Sequence, residues 1–202
     1  MTDITIVPTG TANIASVKAA LRRLGASPVD ATDPEDVATT DHVVVPGVGS
    51  FGAAMSTIDS LGMRDALRER IEEGRATLAV CVGMQLLCAA STETPGSVGL
   101  GVVARTVERF SEVVRVPQLG WNRVEPRTKS AYLEPGWAYF ANSYRITSLP
   151  SGWVGASTDY DGEFVAAMER GAILALQFHP ELSGAWGSGI LGRWLKRTGA
   201  TA

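Results

Sequence analysis

The first half of the sequence alternates short β-branched runs with longer stretches of helical spacing. The runs Thr5–Val7, His42–Val45 and Thr77–Val80 are mostly apolar or β-branched. Continuous runs of this kind are typical of strands that are buried on both faces of a parallel sheet. Parallel strands need crossover connections, which are usually helices, so the alternation predicts βαβ units and an α/β fold.

Two of the connecting stretches have recognisable helix boundaries. The first has apolar residues at helical spacing, namely Ile14, Val17, Leu21 and Leu24. Asn13 is its expected N-cap and Gly25 its expected stop. The second runs from Met63 to Glu73 and is expected to end at Gly74. Both stretches would return the chain across the sheet to the next strand.

The second half of the chain has a different pattern. From Gly99 to Met168, short β-like runs are separated by turns rich in proline, glycine and aspartate, which indicates an antiparallel or mixed extension of the sheet. A last strand is predicted over Ala172–Phe178 and a closing helix over Ile190–Lys196. The sequence has no repeat, low-complexity tract or linker, so residues 1–202 are expected to form a single domain.

Charge and hydropathy exclude several classes of partner. The net charge of -3 is spread without long runs of either sign, so no electrostatic footprint for nucleic acid or an anionic membrane is present. No apolar run approaches the roughly 20 residues of a membrane span, and the N-terminus lacks the pattern of a signal peptide. A cytoplasmic location is expected.

The two cysteines, Cys81 and Cys88, are seven residues apart. The helix that follows the strand Thr77–Val80 is expected to extend through Cys88, which would separate the two residues by about 10 Å along the axis, beyond disulfide reach. A free thiol is either a small buried hydrophobic group or a chemically used thiolate.

Cys81 has the sequence context of a nucleophile elbow. It lies between a buried strand and a helix, and its neighbours Ala79 and Gly83 are small. A tight strand-to-helix turn raises the side chain above the edge of the sheet, and the helix N-terminus favours the thiolate and offers backbone N–H groups to an oxyanion. The alternative is that Cys81 is only a core thiol.

Gln177-Phe178-His179-Pro180-Glu181 supplies a candidate acid–base group. His179 is the better candidate of two histidines, since His42 opens an apolar strand and is expected to be structural. Imidazole can give a proton to a leaving group and take one back, and Glu181 is close enough in sequence to orient the ring. Read alone, this segment could also be an ordinary turn.

A glycine-rich segment, residues 45–52, follows the strand His42–Val45. It lacks the lysine of a P-loop and the glycine spacing of a dinucleotide site. Because it leaves the same sheet edge as Cys81, it is expected to turn backbone N–H groups toward a developing negative charge. A simple strand-to-helix turn is the alternative.

These segments together resemble class I glutamine amidotransferases over nearly the whole chain. The motifs that carry the resemblance are Pro46-Gly47-Val48-Gly49-Ser50-Phe51-Gly52, Cys81-Val82-Gly83-Met84-Gln85, Gly120-Trp121-Asn122, Tyr139-Phe140 with Ser143-Tyr144, and Gln177-Phe178-His179-Pro180-Glu181. The Pro-Gly-Val-Gly loop and Gly-Trp-Asn are similar in particular to the glutaminase subunits of imidazole glycerol phosphate synthases.

The resemblance implies a flavodoxin-like fold, with a mostly parallel central sheet, helices on both faces and an antiparallel extension. It implies that Cys81, His179 and Glu181 form a catalytic triad. It implies a further set of residues in oxyanion stabilisation and glutamine binding: Gly47, Val48, Gly49, Val82, Gln85, Glu93 and Ser143. No cofactor and no metal are implied.

The resemblance also implies a partner, a (β/α) barrel cyclase that forms a heterodimer with the glutaminase. The cyclase receives ammonia through its interior and uses it on a ribulose-linked nucleotide intermediate. The products are imidazole glycerol phosphate, in histidine biosynthesis, and aminoimidazole carboxamide ribotide. A closed channel is needed because free ammonia becomes ammonium in neutral water and loses its lone pair.

The chain departs from the family pattern near the expected partner. It has Asn142 where histidine is usual, Gln118 where histidine or a similar residue is usual, and Leu182 where lysine is common. These residues are expected on the partner-facing side, so a paralogue that feeds ammonia to another acceptor is an alternative. A different cysteine hydrolase would not need the Gly-Val-Gly loop, and a non-catalytic binding module would not need the triad.

Overall fold

The computed structural model describes residues 2–10 and 14–199. In this part of the chain the helices are α1 (Ile14–Arg23), α2 (Pro34–Thr39), α3 (Phe51–Ser60), α4 (Arg64–Glu72), α5 (Val82–Leu86) and α6 (Gly184–Thr198), and a 3-10 turn spans Pro180–Leu182. The strands are β1 (Thr2–Ile6), β2 (Ala26–Asp30), β3 (Val43–Val45), β4 (Thr77–Val80), β5 (Cys88–Ser91), β6 (Val103–Arg109), β7 (Gln118–Pro126), β8 (Gly136–Asn142), β9 (Tyr144–Arg145), β10 (Val154–Asp159), β11 (Glu163–Arg170) and β12 (Ile173–Leu176).

Nine of the strands in the described residues form one sheet, in the order β2-β1-β3-β4-β12-β11-β10-β7-β8. The first five strands in this order, β2, β1, β3, β4 and β12, are parallel to one another. Every residue of β3, β4 and β12 is buried, which explains why their sequences are apolar apart from Thr77 and do not alternate. The predicted α/β class is therefore confirmed.

The remaining strands of this sheet continue it in antiparallel fashion. β11 pairs with β12 and β10, β10 pairs with β7, and β7 pairs with β8. Side chains of β8 alternate between buried and more exposed positions, as expected for a sheet with one solvated face. The predicted antiparallel extension is confirmed. In the same described ranges, β5, β6 and β9 form a second, smaller sheet.

Several predicted boundaries agree with the structure. Thr77–Val80 is the strand β4, and Gly25 and Gly74 have the positive φ angles that commonly end helices. The expected N-cap Asn13 lies outside the described residues. Strand β2 is not predicted from the sequence pattern, because Pro28 interrupts it; proline is tolerated there since β2 is an edge strand.

The predicted helix from Cys81 through Cys88 is too long. Helix α5 ends at Leu86, and Cys88 begins strand β5. The carbonyls of Leu86 and Cys88 accept hydrogen bonds from the N–H groups of Leu100 and Gly101, at 2.8 and 3.2 Å. These long-range partners replace the hydrogen bonds that would have continued the helix. Both cysteines are buried free thiols.

The closing helix is longer than predicted, because α6 begins at Gly184 and not at Ile190. Its first turns are rich in glycine, which disfavours a helix in isolation. Gly187 lies so close to the carbonyl oxygen of Pro180 that a Cβ atom would overlap it. The first turns of α6 therefore pack tightly against the preceding 3-10 turn, which requires glycine at position 187. Within residues 2–10 and 14–199, none of the helices combines the length and the apolar character that a membrane span requires.

Candidate active site

Cys81 lies where strand β4 turns into helix α5, at the carboxyl edge of the parallel strands. Its backbone has φ 55° and ψ -112°, a conformation that is rare for a residue with a side chain. The Cys81 N–H donates to the carbonyl oxygen of Leu176 at 2.6 Å, which continues the pairing of β4 with β12. A strained residue at a strand-to-helix turn is the geometry expected of a nucleophile elbow.

The glycines around Cys81 are required by close backbone approach. A Cβ atom on Gly83 would overlap the carbonyl oxygen of Val45, at the end of β3. A Cβ atom on Gly47 would lie 2.8 Å from both the Gly83 nitrogen and the Val82 Cβ atom. The elbow and the glycine-rich loop therefore pack directly against each other.

His179 and Glu181 follow strand β12, on the side of the sheet edge where Cys81 emerges. The His179 Nδ1 atom lies 2.9 Å from the Glu181 Oε1 atom, and both side chains are almost fully buried. The His179 N–H donates to the Tyr139 carbonyl oxygen at 2.9 Å, while the Ser183 hydroxyl donates to the His179 carbonyl oxygen at 2.6 Å. His179 is thus held in place both through its imidazole ring and through its backbone.

The electrostatic environment favours a protonated His179. Burial of the ring acts to lower its pKa, but hydrogen bonds to Cys81 and Glu181 and the negative charges of the same two groups outweigh burial and raise the pKa to about 10. Since Nδ1 is bonded to Glu181, Nε2 is the atom left to face Cys81. The ring therefore carries a transferable proton beside the sulfur at neutral pH.

The glycine-rich loop meets the elbow through one hydrogen bond. The N–H of Val82, which belongs to the residues implied in oxyanion stabilisation and glutamine binding, donates to the Gly47 carbonyl oxygen at 3.2 Å. Gly49 has a φ angle of 102°, which favours glycine. An oxyanion could use the Val82 N–H only after this contact is released or shared.

A polar cavity opens beside Cys81. Its lining residues are Val48, Gly49, Cys81, Val82, Gln85, Glu93, Ala141, Asn142, Ser143 and Tyr144. This set contains most of the residues that the resemblance implied for glutamine binding. Gly47 lies instead in a neighbouring cavity with His179 and Glu181, and Val48 lines both cavities. The glycine-rich loop therefore separates the two.

Two polar groups in the cavity are already positioned by the chain. The Glu93 Oε2 atom accepts a hydrogen bond from the Phe51 N–H at 2.6 Å, at the start of helix α3. The Gln85 Nε2 atom donates to the Tyr144 carbonyl oxygen at 3.2 Å and to the Gln177 Oε1 atom at 3.0 Å. A carboxylate and a fixed amide beside a thiol suit a small zwitterionic amide substrate.

Gln177 and Ser183 contact the site although the sequence pattern predicts no separate role for either residue. Gln177 is fully buried and its Nε2 atom lies 3.7 Å from the Cys81 sulfur. Ser183 binds the backbone on both sides of the site, since its hydroxyl also accepts from the Tyr139 N–H at 2.9 Å. The available signal for Gln177 was its position two residues before His179, which suits a shared face in extended chain.

The expectation that Gln118 and Asn142 face a partner is wrong. Gln118 is 3% exposed and Asn142 is 4% exposed, and they are register partners in the β7–β8 pair. Both lie on the inward face of this hairpin, because the period of two places their neighbours Leu119 and Ala141 on the outward face. Leu182, in contrast, is 43% exposed.

Comparison with known proteins identifies the family. The sequence matches the family described as "Glutamine amidotransferase class-I" over residues 8–194. The imidazole glycerol phosphate synthase subunit HisH of Symbiobacterium thermophilum is 38% identical over 198 residues, which cover 96% of this chain and 93% of that protein. The HisH subunit of Geobacillus thermodenitrificans is 37% identical, with 96% of each chain covered.

Two further similarities concern a longer protein and the fold. The chloroplastic imidazole glycerol phosphate synthase hisHF of Arabidopsis thaliana is 38% identical over 95% of this chain, which corresponds to 34% of that protein. A solved structure of a glutamine amidotransferase has a TM-score of 0.77 and 24% identity, and covers 97% of this chain and 98% of that chain. With the family match over most of its length, this chain belongs to the class I glutamine amidotransferases.

Proposed function

We propose that the chain is the glutaminase subunit of an imidazole glycerol phosphate synthase, and that it hydrolyses L-glutamine to glutamate and ammonia for a cyclase partner. The observation that carries this proposal is the buried His179–Glu181 pair beside Cys81, at the wall of a polar cavity. HisH relatives at 37–38% identity over nearly full length support the assignment to this synthase.

In the proposed reaction the Cys81 thiolate attacks the side-chain amide carbon of glutamine. The negative charge passes to the carbonyl oxygen, near the Val82 N–H. The His179 ring gives its proton to the amide nitrogen, the C–N bond breaks, and ammonia leaves while a thioester forms. The neutral ring then takes a proton from water, the resulting hydroxide attacks the thioester, and glutamate leaves as the thiolate is restored.

The outward face of the β7–β8 hairpin is the proposed docking surface for the cyclase. Trp121 and Tyr139 are directly opposite each other, with ring centroids 6.1 Å apart. Leu119, Trp121 and Trp137 are 66%, 55% and 55% exposed, which is unusual for large apolar side chains grouped on one strand pair. The Tyr139 backbone also binds His179, so this face lies close to the site that releases ammonia.

A docked partner would close the path of ammonia to its acceptor. An exposed aromatic surface beside the triad fits this role, since interface cores are enriched in tryptophan and tyrosine. The proposal includes a heterodimer with a (β/α) barrel cyclase and a cytoplasmic location. The hisHF relative, of which this chain matches about a third, is consistent with both activities belonging to one assembly.

We expect Trp121→Ala to weaken binding of the histidine-pathway cyclase by about 30-fold or more, because a buried tryptophan anchor at an interface contributes about 2 kcal/mol or more. Glutamate release by the mixed proteins should then need a correspondingly higher cyclase concentration. Titration of the parent and the variant with cyclase, with glutamate release as the readout, measures the effect.

Val29→Ala is the matched control. Val29 is 55% exposed, like Trp121, but it lies on β2, at the opposite edge of the nine-stranded sheet. Its titration curve should overlay that of the parent. Equal curves for Trp121→Ala and the parent would exclude the hairpin as the docking surface. If no cyclase concentration stimulates glutamate release by the parent, the proposed partner is contradicted.

A second acceptor enzyme is favoured by one observation, the exposed Leu182 in place of the usual lysine. A partner that presents a carboxylate there would leave it unpaired, which costs binding energy. If a histidine-pathway cyclase strongly stimulates glutamate release by the Leu182→Lys variant but not by the parent, the chain serves another acceptor. Equal and full stimulation of both would make the difference at this position neutral.

A further inference from the structure

We propose that Gln177 is a positioning residue for the nucleophile, whose side-chain amide donates a hydrogen bond to the Cys81 sulfur and favours its thiolate form. The inference rests on the proposed function only in taking Cys81 as the nucleophile. It concerns a residue that the acid–base account of His179 and Glu181 does not use.

The geometry around the sulfur is the first support. The Gln177 Nε2 atom lies 3.7 Å from the Cys81 sulfur, a normal distance for an N–H donor to sulfur, and Gln177 is fully buried. His179, two residues later, also contacts Cys81. Phe178, between them, packs against Phe140 and Trp186 instead. The segment after β12 thus places the side chains of Gln177 and His179, two residues apart, against the same sulfur atom.

The orientation of the Gln177 amide is fixed by a second glutamine. Gln85 donates through Nε2 to the Gln177 Oε1 atom at 3.0 Å and to the Tyr144 carbonyl oxygen at 3.2 Å. A carbonyl oxygen cannot donate, so the contact with Tyr144 requires the Gln85 nitrogen at this position. The Gln85 nitrogen then requires the Gln177 oxygen, and the Gln177 nitrogen must face the sulfur.

This chain of contacts has a chemical consequence. A hydrogen bond to the charged form of an acid favours that form, and in a buried site water cannot replace a missing donor. The sulfur is negatively charged before attack and again when the thioester is hydrolysed. Gln177 therefore stabilises the sulfur at both stages, and Gln85 links this donor to the wall of the glutamine cavity.

The test uses the rate of Cys81 alkylation by iodoacetamide between pH 5 and pH 10, in the chain alone and without glutamine. Mass spectrometry of the Cys81 peptide separates this reaction from any at Cys88. We expect the rate profile of Gln177→Met to move toward higher pH by about one unit, so that alkylation on the rising part is about 10-fold slower. The parent and variant rates should converge at the upper end.

Gln177→Glu provides a second variant that keeps the oxygen for Gln85 and removes the donor. Its profile should move at least as far, since a carboxylate would repel the thiolate. Gln118→Met is the matched control, because Gln118 is another buried glutamine and lines a different cavity. Its profile should overlay that of the parent. Circular dichroism establishes that each variant is folded.

Unchanged profiles in both Gln177 variants would overturn the inference, and so would an equal shift in Gln118→Met. Glutamate release, measured in the same samples after alkylation, gives a separate test of the proposed function. If alkylation of Cys81 in the parent leaves glutamate release intact, Cys81 is not the nucleophile, whatever the profiles show. If alkylation abolishes glutamate release and the profiles do not move, only the role of Gln177 is wrong.

Discussion

Replacement of Cys81 by serine is expected to lower glutamine hydrolysis by about 10⁴-fold or more, because the thiolate that attacks the amide is lost from the strained turn that presents it. The hydroxyl of serine ionises far less readily than a thiol, and the His179 environment cannot compensate. Synthesis by the cyclase from added ammonia should continue at the parent rate, since the variant retains the docking face. Both rates are measured with the reconstituted pair.

Cys88→Ala is the matched control for the nucleophile. Burial raises the pKa of the Cys88 thiol to about 12, so this thiol stays protonated at neutral pH and is a poor nucleophile. Cys88 begins strand β5, where it fills part of the core. We expect a normal hydrolysis rate and a loss of roughly 1 kcal/mol in unfolding free energy. Loss of turnover in a folded Cys88→Ala chain would contradict the assignment of Cys81.

His179→Asn is expected to lower kcat by about 10³–10⁴-fold with little change in KM, because the amide leaving group is no longer protonated while the glutamine cavity is intact. The thioester should not accumulate, which mass spectrometry of the mixture with glutamine can establish. Since the pKa of His179 is raised to about 10, the parent carries this proton throughout the neutral range.

Glu181→Ala should cost less than His179→Asn, about 10–100-fold in kcat. The carboxylate orients the ring through Nδ1, but the backbone contacts of His179 with Tyr139 and Ser183 remain and also hold the residue. A greater loss in Glu181→Ala than in His179→Asn would reverse the proposed order of roles. A parent rate in His179→Asn would exclude the triad.

The parts of the fold and site that the sequence predicted are those specified by neighbouring residues. Strand β4 is apolar after Thr77, and Gly83, two residues after Cys81, permits the close approach to Val45 that the elbow requires. His179 and Glu181 are two residues apart, so their contact depends on one short turn. Local sequence carries this information directly.

The parts that the sequence did not predict depend on distant residues. Helix α5 ends early because the carbonyls of Leu86 and Cys88 are bound by residues 100 and 101. Gln118 and Asn142 face inward because the register of β7 with β8 decides which face of the hairpin is buried. The contact of Gln177 with Cys81 joins positions 96 residues apart. Such pairings are set by the folded chain, and for Gln177 the sequence offers only its position two residues before His179.

The most direct measurement of the central claim is the source of the nitrogen in the cyclase product. The chain and a histidine-pathway cyclase would be given glutamine labelled with ¹⁵N at the side-chain amide, the ribulose-linked nucleotide substrate and an excess of unlabelled ammonium. We expect nearly all of the imidazole glycerol phosphate to carry ¹⁵N, because in the proposed function ammonia released at Cys81 passes to the cyclase without mixing with solvent. Product without ¹⁵N would contradict the account.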